Sequence, residues 1–404
     1  MRELVHMPTR GLFLAALLIA AVAVPAEPAA ASPTQASLLQ DDPQLIYSGS
    51  STRTKRLNEI QSLGVDIVKV RVNWRYLAPK HRPSRFDGAN PASYGSRWAP
   101  FDEVVSGGVP QSPRIYRGLL NAAAAGLQAS GHGSDQLLVG ELLPFTRTAS
   151  KSSKKVRPIA FLRELACVDS HYRPYRGKAA RKRGCAGFKS IPGTGLAYHP
   201  YTLAGGPNVK TPNHDDASIG NLGRLTKAIS RLRSKGRIRS SWPIWITEFG
   251  FQSRPPDPYA TPIKKIPGFM GESEWLAYKN RRVVAYGQYP LVDDAGTVAG
   301  FQSGLRFHNG KKKPGVFAAF QRPFFARHAG SRVELFGGVR AAGGGSVTLQ
   351  TRTKKSKWTT LRNASLNSRG YFDVRVKVSR VSKRYFRFIG AGQPASRSAK
   401  ALKR

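Results

Sequence analysis

Acidic residues are scarce in this chain. Its 404 residues include 23 Asp plus Glu against 65 Lys plus Arg, a formal net charge of +42. That imbalance excludes a neutral enzyme of ordinary surface and predicts attraction to polyanions. Cysteine is scarcer still. The two residues, Cys167 and Cys185, exclude a disulfide-dense mini-scaffold and a four-cysteine zinc site. There is no His-Glu-x-x-His pair and no Gly-rich phosphate loop, so neither a metal nor a cofactor is expected. No helix-turn-helix, RNP or OB pattern occurs, so nucleic acid is not an expected partner despite the charge.

Long apolar runs are lacking too, apart from one near the N-terminus. Arg2 and Arg10 flank the start, Gly11–Val24 is an apolar stretch of 14 residues, and Ala29-Ala30-Ala31 follows. A charged start, a short apolar middle and a small-residue end are the parts of a secretory signal, here residues 1–31. The run is shorter than the ~20 residues of a spanning helix, so no stable membrane span is expected after its removal. The protein is therefore expected to be secreted. Export permits a disulfide, and Cys167 and Cys185 read as one bridge pinning a basic loop that holds Lys178, Arg181, Lys182 and Arg183.

Apolar residues make up 40 % of the chain, which suffices for a sizeable core. The pattern divides in two. Over residues 44–328, apolar strand-like runs alternate with amphipathic helical stretches. Strands are expected at Ile67–Trp74, Gln136–Pro144, Gly195–Thr202, Pro243–Phe251 and Val298–Phe307. Helices are expected at Ser112–Ser130, Pro158–Val168, Asn221–Ser234 and Ser273–Tyr289, with a last one starting at Gly315. This alternation predicts an α/β domain with a parallel sheet buried on both faces. Over residues 331–391 the period changes to two. Short strands near Val333–Phe336, Ser346–Thr353, Trp358–Arg362, Tyr371–Val378 and Tyr385–Ile389 alternate with Gly-rich turns. They predict a small antiparallel β-sandwich or barrel. Residues 392–404 read as a disordered basic tail.

In parallel barrels, chemistry collects where strands end. Glu248 ends Trp245-Ile246-Thr247-Glu248, Glu141 ends Leu138-Val139-Gly140-Glu141, and His199 and Tyr201 end Ala197-Tyr198-His199-Pro200-Tyr201. Arg71 and Trp74 end the first expected strand, and Gln302 and Arg306 lie on the last. A carboxylate pair performs acid–base and nucleophilic work, and aromatic faces stack on sugar rings, so the set suits a carbohydrate substrate.

Several of these pieces resemble secreted actinobacterial-type glycoside hydrolases of the retaining (β/α)8 superfamily, near the family 5, family 39 and Asl1-like groups. The pieces are Leu63-Gly64-Val65-Asp66 running into IVKVRVNW, the VGELLP segment, AYHPY, WITEFGF, QYPLVDD at Gln288–Asp294, and FQSGLRF. The resemblance implies a TIM-barrel-like catalytic domain with Glu248 as nucleophile. His199 would lie beside Glu248, and Arg71, Trp74, His199 and Tyr201 would orient it or bind sugar. The superfamily's Asn-Glu-Pro acid/base motif is absent, which leaves Glu141 as the candidate acid/base, two strands away from Glu248. Residues 75–111 hold five prolines and no strand-length apolar run, so strands two to four are expected to be missing and the barrel truncated. The lost motif opens an alternative: a non-catalytic, basic envelope-polysaccharide-binding protein derived from a glycosidase. Lys151–Lys189 holds 12 Lys/Arg with two acids and Arg332–Arg387 holds 14 with two, which suits an anionic cell-wall polymer.

Overall fold

The computed structural model describes residues 32–71, 105–106, 109–144, 156–202, 205–296, 300–390 and 392–403. The expected leader and Trp74 lie outside the described residues.

The described residues open with β1 (Ala36–Gln40), whose five residues are all buried, followed by α1 (Asp42–Leu45) and α2 (Ser50–Ser62). Next come β2 (Ile67–Lys69), the short hairpin of β3 (Val105–Ser106) and β4 (Val109–Pro110), and the long helix α3 (Ser112–Ala129). Then follow β5 (Leu138–Leu142), α4 (Pro158–Leu165), α5 (Gly177–Lys182) and β6 (Gly195–Tyr198). In α6 (Gly223–Ser234), Leu225, Ala228, Ile229 and Leu232 are buried, which is one helical face recurring at three and four residues. The domain continues through β7 (Ile244–Ile246), the β8 (Ser253–Arg254) and β9 (Thr261–Pro262) pair, α7 (Ile266–Tyr278), β10 (Val283–Gln288) and α8 (Val316–Gln321).

Six of these strands form one parallel sheet in the order β2-β1-β10-β7-β6-β5. The sheet curls like part of a barrel, because side chains from its two outermost strands meet: Lys69 at the end of β2 and Glu141 on β5 form an ion pair. Val139, Leu196, Ile244 and Ile246 are fully buried between the sheet and its helices. The Cys167–Cys185 disulfide is formed, with Cα atoms 5.7 Å apart. Arg117 of α3 donates to Cys167 Sγ and to the carbonyls of Leu165 and Arg183, which ties α3 to the bridged loop.

Several expectations are corrected. The sheet begins at Ala36, ahead of residue 44, so among the described residues Ile67–Lys69 is its second strand in chain order rather than its first. Gln40-Asp41-Asp42 cuts this apolar stretch short, which hides it as a strand. The expected helix Ser273–Tyr289 is two elements: α7 stops at Tyr278, and Val283–Gln288 is β10. The polar Lys279-Asn280-Arg281-Arg282 turn separates them. Residues 300–307 are not a strand. They are looped, and Gln302 and Lys313 are buried there through side-chain bonds rather than ladder pairing.

The second region packs two antiparallel sheets. One is β11 (Phe324–Ala329), β12 (Arg332–Gly338) and β15 (Tyr371–Lys377), with β12 in the middle. The other runs in the order β14 (Thr359–Ser365), β13 (Ser346–Arg352), β16 (Tyr385–Gly390) and β17 (Ala399–Lys400). Phe324, Leu335, Leu349, Phe386 and Phe388 fill the space between them. The sandwich thus starts at β11, before residue 331. The C-terminal tail is not a disordered appendage over its described part: Ala399 pairs with Phe386, and Leu402 N donates to Ala326 O. The buried Ala399 side chain and the backbone of Leu402 supply the contacts that hold it.

The sandwich is locked onto α7. Arg340 donates to both carboxylate oxygens of Glu274 at 2.7 Å, and the Tyr371 hydroxyl donates to the same carboxylate at 2.5 Å. Both partners of the ion pair are at most 3 % exposed.

Candidate active site

The end of the sheet where the strands finish gathers four of the expected side chains. His199 follows β6, and its amide donates to Leu142 O on β5, which fixes the imidazole between the neighbouring strands β5 and β7. His199 Nε2 lies 3.1 Å from Glu141 Oε1, in reach for attraction but out of line for a straight hydrogen bond. On the ring's other side, Nδ1 lies 3.6 Å from Glu248 Oε2. One imidazole therefore stands between the two carboxylates that the sequence places two strands apart.

Glu248 lies two residues beyond β7 with a side chain only 14 % exposed. Tyr201 donates its hydroxyl to Glu248 Oε1 at 2.7 Å. The Tyr201 ring stacks on Phe249, with centroids 5.9 Å apart, and meets His199 edge to face. Burial first, and then the Glu248 charge, push the Tyr201 phenol well above its ordinary range. It therefore remains a donor to the carboxylate at any working pH. Tyr289 is raised by the same two causes.

Glu141 is in a different state. Burial acts to raise its pKa, but the adjacent His199 ring and the Lys69 ammonium outweigh that and hold it at about 2. It is an ionised carboxylate near neutrality, whereas a general acid needs its pKa raised. Its strand is steadied from behind by Tyr116 of α3, whose hydroxyl donates to Gly140 O at 2.8 Å and accepts from Gly140 N at 2.9 Å.

Arg71 stands at the same end but not in the cluster. Its amide donates to Asp42 Oδ1 at 2.6 Å, and its guanidinium lies 3.8 Å from the same carboxylate, with the side chain 63 % exposed. Arg306, expected on a last strand, instead pairs with Glu59 of α2. Gln302 donates to the carbonyls of Asp294 and Gly296. Among the described residues no group of His, Cys, Asp and Glu has the arrangement of a metal site.

Sequence reasoning passes over Lys69, Asp42, Tyr116 and Tyr289. A signal existed for the first: in IVKVRVNW, Lys69 and Arg71 alternate with apolar residues and so share a strand face. Asp42 goes with the overlooked β1. Tyr116 and Tyr289 are ordinary aromatic positions locally, and only packing brings them here. A cleft of ≈ 690 Å³ lined by Trp242, Pro243 and Arg282 opens at the opposite end of the sheet, where β7 and β10 begin, and has no part in the cluster.

No protein-family model and no curated protein sequence matches the chain. Solved structures do show likeness. A β-glucuronidase 2 of Bacteroides uniformis, covalently bound to cyclophellitol-6-carboxylate aziridine, is 9 % identical, with a TM-score of 0.36 over 92 % of this chain and 46 % of its own. A β-glucuronidase from Ruminococcus gnavus in complex with D-glucuronic acid is 12 % identical, with a TM-score of 0.31 over 72 % of this chain and 49 % of its own. A β-1,3-glucan-binding domain of carbohydrate-binding module family 56 is 11 % identical, with a TM-score of 0.15 over 19 % of this chain and 94 % of its own. The chain spans about half the length of the β-glucuronidases it matches.

Proposed function

We propose that the protein is an exported glycosidase that cleaves O-glycosidic bonds of a glycoside or polysaccharide with retention, Glu248 being the nucleophile. The observation that carries this reading is the Glu141–His199–Glu248 array at the ends of adjacent parallel strands, with Tyr201 donating to Glu248. In the first step a Glu248 oxygen bonds to the anomeric carbon as the bond to the leaving oxygen breaks. The leaving oxygen takes a proton. Glu141 is already ionised, so this donor role falls to His199, whose ring stands between the two carboxylates. Water then displaces Glu248, giving a proton back to the imidazole. The Lys69 ion pair keeps Glu141 charged beside that ring. Arg71, exposed at the same end, is the group that would meet a substrate.

A second reading, a sugar-binding protein without turnover, is favoured by one observation. Glu141 is engaged by Lys69 and His199 rather than poised as an acid.

A panel of dinitrophenyl 2-fluoro-glycosides, neutral and uronic, separates the two, because that leaving group departs without a proton. A mass increase of one sugar in the intact protein, absent in Glu248→Gln, is the expected result. Protein that melts cooperatively yet takes no adduct from any sugar overturns the catalytic reading in favour of the binding one.

A further inference from the structure

The sandwich carries a second site of a different kind. Alternation along β13 and β16 sends Val347, Leu349, Phe386 and Phe388 inward, which leaves Gln350, Arg352, Tyr385 and Arg387 on the outer face. Trp358, just ahead of β14, lies against two guanidinium groups there: Arg387 at 4.2 Å and Arg352 at 4.7 Å from the ring centroid. Lys400 of β17 covers Tyr385 in the same way at 5.1 Å.

This face runs into a cleft of ≈ 690 Å³ between the turn after β13 and the turn before β16. Its walls are Lys354, Lys355, Arg380, Lys383 and Arg384, with the hydroxyls of Thr353 and Ser379. Five cations line one concavity without an acid among them. Among the described residues none of these five, nor Arg352, Arg387 or Lys400, has a carboxylate within ion-pair distance. Elsewhere in the sandwich some basic residues are paired: Arg327 and Arg375 face Glu334, and Arg369 faces Asp66. Unpaired like charges gathered in a concavity repel one another, and an anion relieves that repulsion. Burial first, and then the neighbouring Arg352 charge, lower the Arg387 pKa from its ordinary value.

We infer that this cleft and the adjoining Arg352–Trp358–Arg387 face bind a linear phosphate polymer that carries no bases. Charge alone would admit any polyanion, but the aromatic rings decide between classes. Single-stranded nucleic acid is held by bases stacking on open aromatic faces. Sugar rings need such faces as well. Here Trp358 and Tyr385 are already stacked with the protein's own cations, so the face offers charge and hydrogen-bond donors rather than stacking platforms. Closely spaced phosphates match clustered Lys and Arg. The site lies on the sandwich and is independent of Glu248.

The test uses the full chain and fluorescently tagged inorganic polyphosphate, followed by anisotropy over a salt series. The variant Lys354→Gln/Lys355→Gln/Lys383→Gln should bind at least about 10-fold more weakly at moderate salt. Its log–log salt slope should shrink by roughly 0.7–0.9 per cation removed. An equal charge removal on the disulfide loop, Lys178→Gln/Arg181→Gln/Lys182→Gln, should change affinity less than about 2-fold. If the first triple variant does not melt cooperatively, the single Lys354→Gln and Lys355→Gln variants on the exposed turn are read in its place. Equal loss in both triple variants means that net charge alone drives binding, and overturns the site. Polygalacturonate or single-stranded DNA displacing polyphosphate at equal charge concentration overturns the ligand class.

Discussion

Lys69 and Glu141 stand on the two outermost strands of one six-stranded sheet, and their side chains meet in an ion pair. A flat sheet would hold these strands far apart, since neighbouring strands lie about 4.8 Å from one another. The pair therefore marks the curl of the sheet. It also sets the charge of the carboxylate that faces His199.

Replacing Lys69 by Met should raise the Glu141 pKa from about 2 toward the ordinary carboxylate range. The carboxyl-carbon chemical shift of Glu141 during an NMR titration reads this directly. The sign for stability follows: a depressed folded pKa contributes above pH 4.5 and is lost as pH falls toward 2. The variant should lose less stability over that interval than the parent. An unchanged Glu141 titration would show that the two edges do not meet in solution.

Tyr201 and Glu248 should be energetically coupled. A hydrogen bond to a charged group contributes about 1.5–3 kcal/mol. In a double-mutant cycle of Tyr201→Phe with Glu248→Gln, urea unfolding should give a coupling of about 1 kcal/mol or more. Additive effects would mean that the hydroxyl does not serve the carboxylate.

Asp41 predicts the opposite pH trend to Glu141. Burial raises it to about 6, although the amides of Val292, Gln44 and Leu291 donate to it. Between pH 3.8 and 6 the folded state binds more protons than the unfolded one, so stability falls as pH climbs through that window and is flat above it. The full effect is about 3 kcal/mol. Chemical denaturation at stepped pH should show this decline in the parent and lose it in Asp41→Asn.

The Glu274–Arg340 pair holds the sandwich to α7. Arg340→Met strands a buried carboxylate beside Tyr371, and should cost about 3–5 kcal/mol. The double variant Glu274→Leu/Arg340→Met should recover much of that loss in a guanidinium melt. A single variant as stable as the parent would contradict the burial of the pair.

Much of this architecture is legible from patterning. Five of the seven sandwich strands announce themselves by alternation between Gly-rich turns, as in Phe372-Asp373-Val374-Arg375-Val376. The parallel strands β5, β6 and β7 are short apolar runs ending in polar residues, so their position and their chemistry coincide in the sequence. The failures occur where local pattern is ambiguous. Val283–Gln288 follows a helix after only four residues and shares its apolar character, so period alone does not part them. Ala36–Gln40 is too short and too close to the expected leader to stand out.

The sequence by itself determined the class of most segments, the disulfide, the excess of positive charge, and the strand-end carboxylates, because these depend on residue type and local spacing. Tertiary structure decided what those residues do to one another. It set His199 between Glu141 and Glu248, brought Lys69 across the sheet to Glu141, and drew the turns at Thr353–Lys355 and Ser379–Arg384 into one basic cleft. Contacts between residues dozens of positions apart depend on sheet order and curl. Those arise from packing the whole core, and no window of the chain encodes them.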